Sequence, residues 1–278
     1  MKIKCDHHIH TECSCDDACM KFEDLVSSAE LCGLTDFGVT DHLHSLVQEP
    51  DIAASRKGYD RIIAENPHLK GHFHFGIEAS VMSKWELDKI NRKDYMGDPP
   101  IYGLGGGPKN AELDFAFNDE FLAKYGVEYV VSGVHWTRYD DESPVTIAKD
   151  YHRQYIYAAT HPKTTIVAHY LWWNPIRGME NPFVNGKYVT DSMKNELKHA
   201  LLENKKAYEL NIDILFNSKW EEAWFENYME FAHELQSSGV VLAIGSDSHS
   251  PSLYPTDYER TQTLLEKHGI DLDKIFTL

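Results

Sequence analysis

Two histidines one residue apart, His8 and His10, close a short run flanked by Ile3 and Ile9. In an extended strand, side chains two apart project to the same side. Both imidazoles then face one way and offer half of a transition-metal site. Taken alone, such a pair reads equally as exposed polar residues or a purification-tag remnant, so the other titratable residues decide. His42 follows Phe37-Gly38-Val39-Thr40-Asp41, and Glu78 follows the alternating stretch His72 to Ile77. His135 follows Tyr129-Val130-Val131-Ser132-Gly133-Val134, and His169 follows Thr165-Ile166-Val167-Ala168. Asp247 and His249 come just after Val240-Val241-Leu242-Ala243-Ile244-Gly245. Each stands at the end of a run rich in β-branched and apolar residues, whereas His68, His152, His161, His199, His233 and His268 scatter and read as surface or packing residues. His7 should point away from the pair and pack or support it.

The elements that would position these residues alternate. Between the apolar runs lie stretches with helical spacing, such as Phe22, Leu25, Val26, Ala29 and Cys32, stopped by Gly33. Further helices are expected over about 146–160, 191–204, 225–237 and 257–268. Repeated strand–helix units imply a parallel sheet, because each parallel pairing needs a crossover. Seven units in 278 residues predict one α/β domain over 1–278, a closed or nearly closed TIM-like barrel of the (β/α) type. Such barrels build their sites at the carboxyl ends of the strands, where six imidazoles and several carboxylates would meet. Crowding so many titratable groups is costly unless ions hold them, so a multinuclear metal site is expected. The sixth strand ends in Glu209-Leu210-Asn211, also polar.

Composition narrows the partners. Carboxylates outnumber Lys and Arg 44 to 27, for a formal charge of −17. That balance opposes a surface that neutralises a long polyanion, and leaves nucleotides or short oligonucleotides as the largest nucleic acids expected. A small anion held through metal suits it better. No apolar run approaches membrane-spanning length, and no signal-peptide-like stretch is present, so a cytoplasmic protein without membrane contact is expected. The five cysteines, Cys5, Cys13, Cys15, Cys19 and Cys32, crowd one end and read as reduced thiols, although Cys13 and Cys15 lie near the candidate ligands. The longest connection, about 79–127, contains Gly103-Leu104-Gly105-Gly106-Gly107-Pro108. It matches no phosphate-loop pattern and reads as a mobile connection. No motif sets an oligomeric state.

His8-Ile9-His10-Thr11, Thr40-Asp41-His42, Glu78, His135, His169 and Ser246-Asp247-Ser248-His249 together resemble the successive motifs of the PHP family, named for polymerase and histidinol phosphatase. The resemblance runs over nearly the whole chain and implies a distorted (β/α)₇ TIM-like barrel with two to three divalent ions, zinc, manganese or iron. It also implies a ligand six residues after His10, which is Asp16 with Asp17 as neighbour and competitor. By resemblance, His8, His10, Glu78 and Asp247 hold one ion, and Glu78, His135 and His169 a second, with Glu78 bridging. Asp16, His42 and His249 hold the third. Paired ions would acidify a bridging water, making hydroxide available near neutral pH, and spread charge on a phosphoryl group. Asp247 or His249 would assist proton transfer, or a metal-held Asp247 would only fix geometry.

The implied activity is hydrolysis of a small phosphomonoester, with histidinol phosphate the leading candidate. The alternatives are a phosphodiester, nucleotide or amide on the same site, or a noncatalytic metal-stabilised module. Arg177, Arg138 and Lys219 are candidate phosphate-binding residues on loops above the rim, each read more readily as a solvated surface charge. Trp136, Trp172 and Trp173 would wall a pocket or pack in the core. After Asn211, the run Ile212-Asp213-Ile214-Leu215-Phe216 departs from the small residues usual in family histidinol phosphatases.

Overall fold

Runs such as Phe73 to Ser80, buried at every position, suit strands covered on both faces, as parallel sheets in α/β folds are. A computed structural model describes residues 2–105, 107–137, 143–172, 183, 187–216 and 222–278. Its strands are β1 (Cys5–Asp6), β2 (Asp36–Val39), β3 (His42–Leu43), β4 (Phe73–Ser80), β5 (Met82–Ser83), β6 (Leu113–Asp114), β7 (Tyr129–Gly133), β8 (Ile166–Val167), β9 (Ala207–Asn211) and β10 (Leu242–Gly245). Its helices are α1 (Phe22–Leu31), α2 (Glu49–Glu65), α3 (Lys84–Asn91), α4 (Asp119–Tyr125), α5 (Pro144–Thr160), α6 (Asp191–Asn204), α7 (Ile212–Phe216), α8 (Glu222–Ser237) and α9 (Pro255–Lys267).

The parallel order is β1-β2-β4-β7-β8-β9-β10, with the short β3 also pairing β4. The first and last strands meet through His7 N–H to Ile244 O at 3.1 Å, Asp247 N–H to His8 O at 2.8 Å and an Ile9–Ser248 bridge. The result is a nearly closed seven-stranded barrel wrapped by helices, as the alternation of elements predicts. Among the described residues no helix is long and apolar enough to cross a membrane.

Period-two alternation sorts the side chains. Phe73, Phe75, Ile77, Tyr208 and Leu210 pack outward against the helices in the large core. A second, smaller cluster of Tyr129, Val131, Ile166, Ala168, Ala207 and Ala243 fills the barrel. The Tyr129 ring lies against Gly38 and Gly76, where any added Cβ would collide with it, and its hydroxyl donates to His7 O at 3.1 Å. Glycine is required at both positions because a large ring fills the narrow interior.

The segment expected as a mobile connection is built from defined elements. Ser83 caps α3 by accepting from Glu86 N–H, Asn118 caps α4 by accepting from Phe121 N–H, and Gly126 ends α4 with φ of 58°. The β5–β6 pair is antiparallel. Buried Glu86 accepts from the N–H groups of Leu104 and Gly105, both at 3.0 Å, and Gln48 Nε2 donates to Ile101 O at 2.8 Å. Two N–H groups of the glycine-rich stretch, those of Leu104 and Gly105, thus face a carboxylate of the chain itself. Sequence periodicity missed this because the anchor, Glu86, lies 18 residues before Leu104.

Candidate metal centre

Every second residue of β4 faces the barrel interior, which aims Glu78 at the carboxyl-end rim. The strand runs on to Ser80, so Glu78 sits within it, paired with Val131 and His42, and not at its end as the sequence run suggests. Gly133 on β7 leaves the room that Glu78 needs; a Cβ there would strike Glu78 Oε1 and lie 2.8 Å from His169 Nε2.

Five imidazoles surround that one carboxylate. Oε1 is 2.7 Å from His169 Nε2 and 3.1 Å from His135 Nε2. Oε2 is 2.7 Å from His42 Nδ1, 3.4 Å from His8 Nε2 and 3.5 Å from His10 Nε2. Asp247 Oδ1 lies 3.1 Å from His10 Nε2 and 3.4 Å from His8 Nε2. On the outer side, Asp16 Oδ2 reaches His249 Nε2 at 2.5 Å and His42 Nε2 at 3.1 Å. Asp17 is exposed beside it, and the structure turns Asp16, not Asp17, toward these rings.

Charges tune one another here. Burial, the largest influence, pushes Glu78 up, but His42, His135 and His8 together hold it well below the usual carboxylate range. Asp247 is likewise held low against burial by His8 and His10. Burial lowers His10 to about 3 and His135 to about 4, keeping both imidazoles neutral, the form that ligates metal. His42, opposed by burial but facing Glu78 and Asp16, rises to about 10.

The donor set fits cations. His10 Nδ1, His169 Nδ1 and Asp16 Oδ1 are buried with no hydrogen-bond partner, and His42 Nδ1 and Glu78 Oε2, 2.7 Å apart, do not meet in hydrogen-bond geometry; orphaned buried groups of this kind ordinarily cost stability. His8 Nε2 and His10 Nε2 face each other at 3.1 Å. Two ligands of one tetrahedral zinc lie roughly 3.4 Å apart, given metal–nitrogen bonds of about 2.1 Å. Three groups bring ligand atoms within 4.8 Å of one another: His8, His10 and Glu78; His42, Glu78 and His135; His10, His42 and His249. Cysteine enters none of these groups, and all five thiols are free. Burial and Asp16 push the Cys15 thiol up, and burial pushes Cys13 to about 11.

Backbone strain concentrates at the rim. His169, Leu171 and Asp247 adopt positive φ, of 29°, 69° and 54°. The bends are pinned, since His169 N–H donates to Glu209 Oε2 at 2.6 Å and Leu171 N–H to Tyr155 Oη at 3.0 Å.

Sequence reading noted the polar Glu209-Leu210-Asn211 strand end without giving it a role, and did not single out Gly245, His44 or Ser80. Glu209 is buried, with Oε1 2.6 Å from His8 Nδ1, so it aims the opposite ring nitrogen at Glu78. Gly245 admits this carboxylate, since a Cβ there would overlap Glu209 Oε1. Asn211 Nδ2 donates to Asp247 Oδ2 at 3.2 Å. His44 and His135 share Ser80, their Nδ1 atoms 2.6 and 2.7 Å from its Oγ. The signal for His44 was present, because His42-Leu43-His44 repeats the spacing of His8 and His10.

A pocket of about 210 Å³ opens over the centre, walled by Tyr102, His44, Trp136 and Trp172. Trp136 and Trp172 therefore line the mouth. Arg138, Arg177, Lys219 and Trp173 lie outside the described residues. His7 turns to the opposite end of the barrel, 3.2 Å from Asp36 Oδ2.

With barrel and site in view, comparisons place the chain. Residues 6–276 match the sequence model of the PHP domain, and the chain belongs to that family. A comparison with curated proteins found no match. Among solved structures, it resembles histidinol phosphate phosphatase (HisK) from Lactococcus lactis complexed with zinc, L-histidinol and phosphate. The two are 16% identical with a TM-score of 0.63, over 96% of this chain and 94% of that one, a likeness of fold.

Proposed function

We propose that this protein is a metal-dependent phosphoesterase acting on small phosphomonoesters. The observation that carries the reading is Glu78, a fully buried carboxylate whose two oxygens face imidazoles from four parts of the chain, with Oε2 lying 2.7 Å from His42 Nδ1 outside hydrogen-bond geometry. Two to three divalent ions would be held by His8, His10, Asp16, His42, Glu78, His135, His169, Asp247 and His249, with Glu78 between two of them. Zinc, which the Lactococcus lactis structure contains, is the first ion to test, with manganese and iron next. Bound ions of this kind supply Lewis acidity and an activated water near neutral pH.

The chain's own part is placement. Glu78 stays ionised because the surrounding histidines outweigh its burial. Glu209 and Ser80 fix the ring orientations of His8 and His135. Asn211 and His10 hold the Asp247 carboxylate at the rim, where it sets geometry. His249 is the most open of these side chains, at 39% exposure, and is the one placed to pass a proton to a leaving oxygen at the pocket mouth. Trp172 and Trp136 line the pocket mouth beside it.

The test is metal analysis combined with a phosphomonoester panel that includes histidinol phosphate. Two to three ions per chain are expected, with activity abolished by chelation and restored by zinc or manganese. Fully metallated protein that spares every phosphomonoester but cleaves a diester or an amide would overturn the reading.

A further inference from the structure

Beside the pocket over the centre lies a larger cleft of about 460 Å³, within the range of roughly 300–1,000 Å³ typical of small-ligand sites. The two share Trp172, Asp247 and His249, so Trp172 stands where one opens into the other. Serine and tyrosine residues and Asp257 line much of the cleft, and Arg260 projects into it from α9. The Arg260 guanidinium carbon sits 4.1 Å from the centroid of the Phe216 ring on α7. Among the described residues it makes no ion pair with a carboxylate, although Asp257 lines the same cleft. The Arg260 side chain is solvent-exposed, so its guanidinium can meet a ligand that enters the cleft. Stacked on an aromatic face, its planar fork is pre-oriented and its N–H groups remain available to a carboxylate or phosphate in bidentate fashion.

A phosphoryl group at the centre would send its leaving group past Trp172 into this cleft. We propose that Arg260, seated on Phe216, binds a second anionic group on the leaving group, so that the preferred substrates are small phosphomonoesters with two anions. This rests on the phosphomonoesterase reading. Asp257 sharpens the selection, because its carboxylate repels negative charge elsewhere in the cleft and accepts hydrogen bonds from hydroxyls. Histidinol phosphate, whose leaving group carries an ammonium and no second anion, is then not the preferred substrate.

The test uses full-length metallated protein and a matched pair: 3-phosphoglycerate, with a carboxylate, against glycerol 3-phosphate, with a hydroxymethyl group in its place. p-Nitrophenyl phosphate and histidinol phosphate serve as comparators. The wild type should favour 3-phosphoglycerate in kcat/KM by about ten- to a hundredfold, the worth of one charge-assisted interaction. In Arg260→Gln the ratio should fall to about one, mainly through KM, and Arg260→Lys should retain part of it. A wild-type ratio near one, an unchanged ratio in Arg260→Gln, or a preference for histidinol phosphate would overturn the proposal. If p-nitrophenyl phosphate and glycerol 3-phosphate are cleaved without anion preference, this inference alone fails. If no phosphomonoester is cleaved, the phosphomonoesterase reading fails with it.

Discussion

The two ends of the barrel are built from the same residue types and come out differently. One face of β4 carries both, with His74 at the amino end, Glu78 at the carboxyl end, and Gly76 under Tyr129 between them. At the amino end, His74 bridges two acids, Nε2 to Asp36 Oδ1 at 2.8 Å and Nδ1 to Glu128 Oε2 at 3.0 Å. Asp36 also pairs with His7 and accepts from Leu278 N–H, and Glu128 accepts from Phe75 N–H and Tyr59 Oη. Only His7 Nδ1 is left unpaired in that network, against five ligand-type atoms at the carboxyl end. A histidine–carboxylate cluster whose atoms are consumed by one another is structural. One whose lone pairs converge without partners is arranged for something that is not protein.

The largest effect should come from Glu78. Glu78→Gln removes the charge shared by five imidazoles and is expected to lower activity on the order of 1,000-fold with loss of bound metal, followed by elemental analysis and kcat. A variant of normal rate and metal content would erase the distinction between the two ends. Glu209→Gln, which frees the His8 ring, should cost about 10- to 100-fold in metal affinity or activity, measured by competition with a chelating dye. Chelation tests the same contrast thermodynamically. Saturating metal at about 100 times its Kd should add about 2.7 kcal/mol to unfolding stability, and His74→Gln should show the same increment as wild type.

The smallest effect is at the amino end. His74→Gln should cost about 1–3 kcal/mol, with metal content and activity retained. The loss should depend on pH in a defined direction. Burial, the largest influence, lowers His74, but Asp36 and Glu128 raise it from 6.5 to about 9. A raised folded pKa contributes stability in full below 6.5 that is lost as pH rises through about 9. Urea unfolding of wild type and His74→Gln should therefore differ most below 6.5 and converge above about 9. A pH-independent difference would mean that His74 acts through packing alone.

Strand-end positions of His8, His10, His42, His135, His169, Asp247 and His249 were legible because a period of two and a repeated strand–helix alternation survive in a single sequence. The barrel followed from the same alternation. Asp16 over Asp17 was not legible, because adjacent identical carboxylates differ only in the turn that aims them at His42 and His249. Nor was the order in the 79–127 segment, whose glycine-rich stretch looks loose until buried Glu86 is placed against it.

By itself, the sequence determined which chemical groups reach the rim, since local backbone periodicity fixes which face a side chain takes. Only the tertiary structure decided which of them are left without partners and what steadies the rest. Glu209 meets His8 across 201 residues of chain, and such contacts exist only once the first and last strands close the barrel.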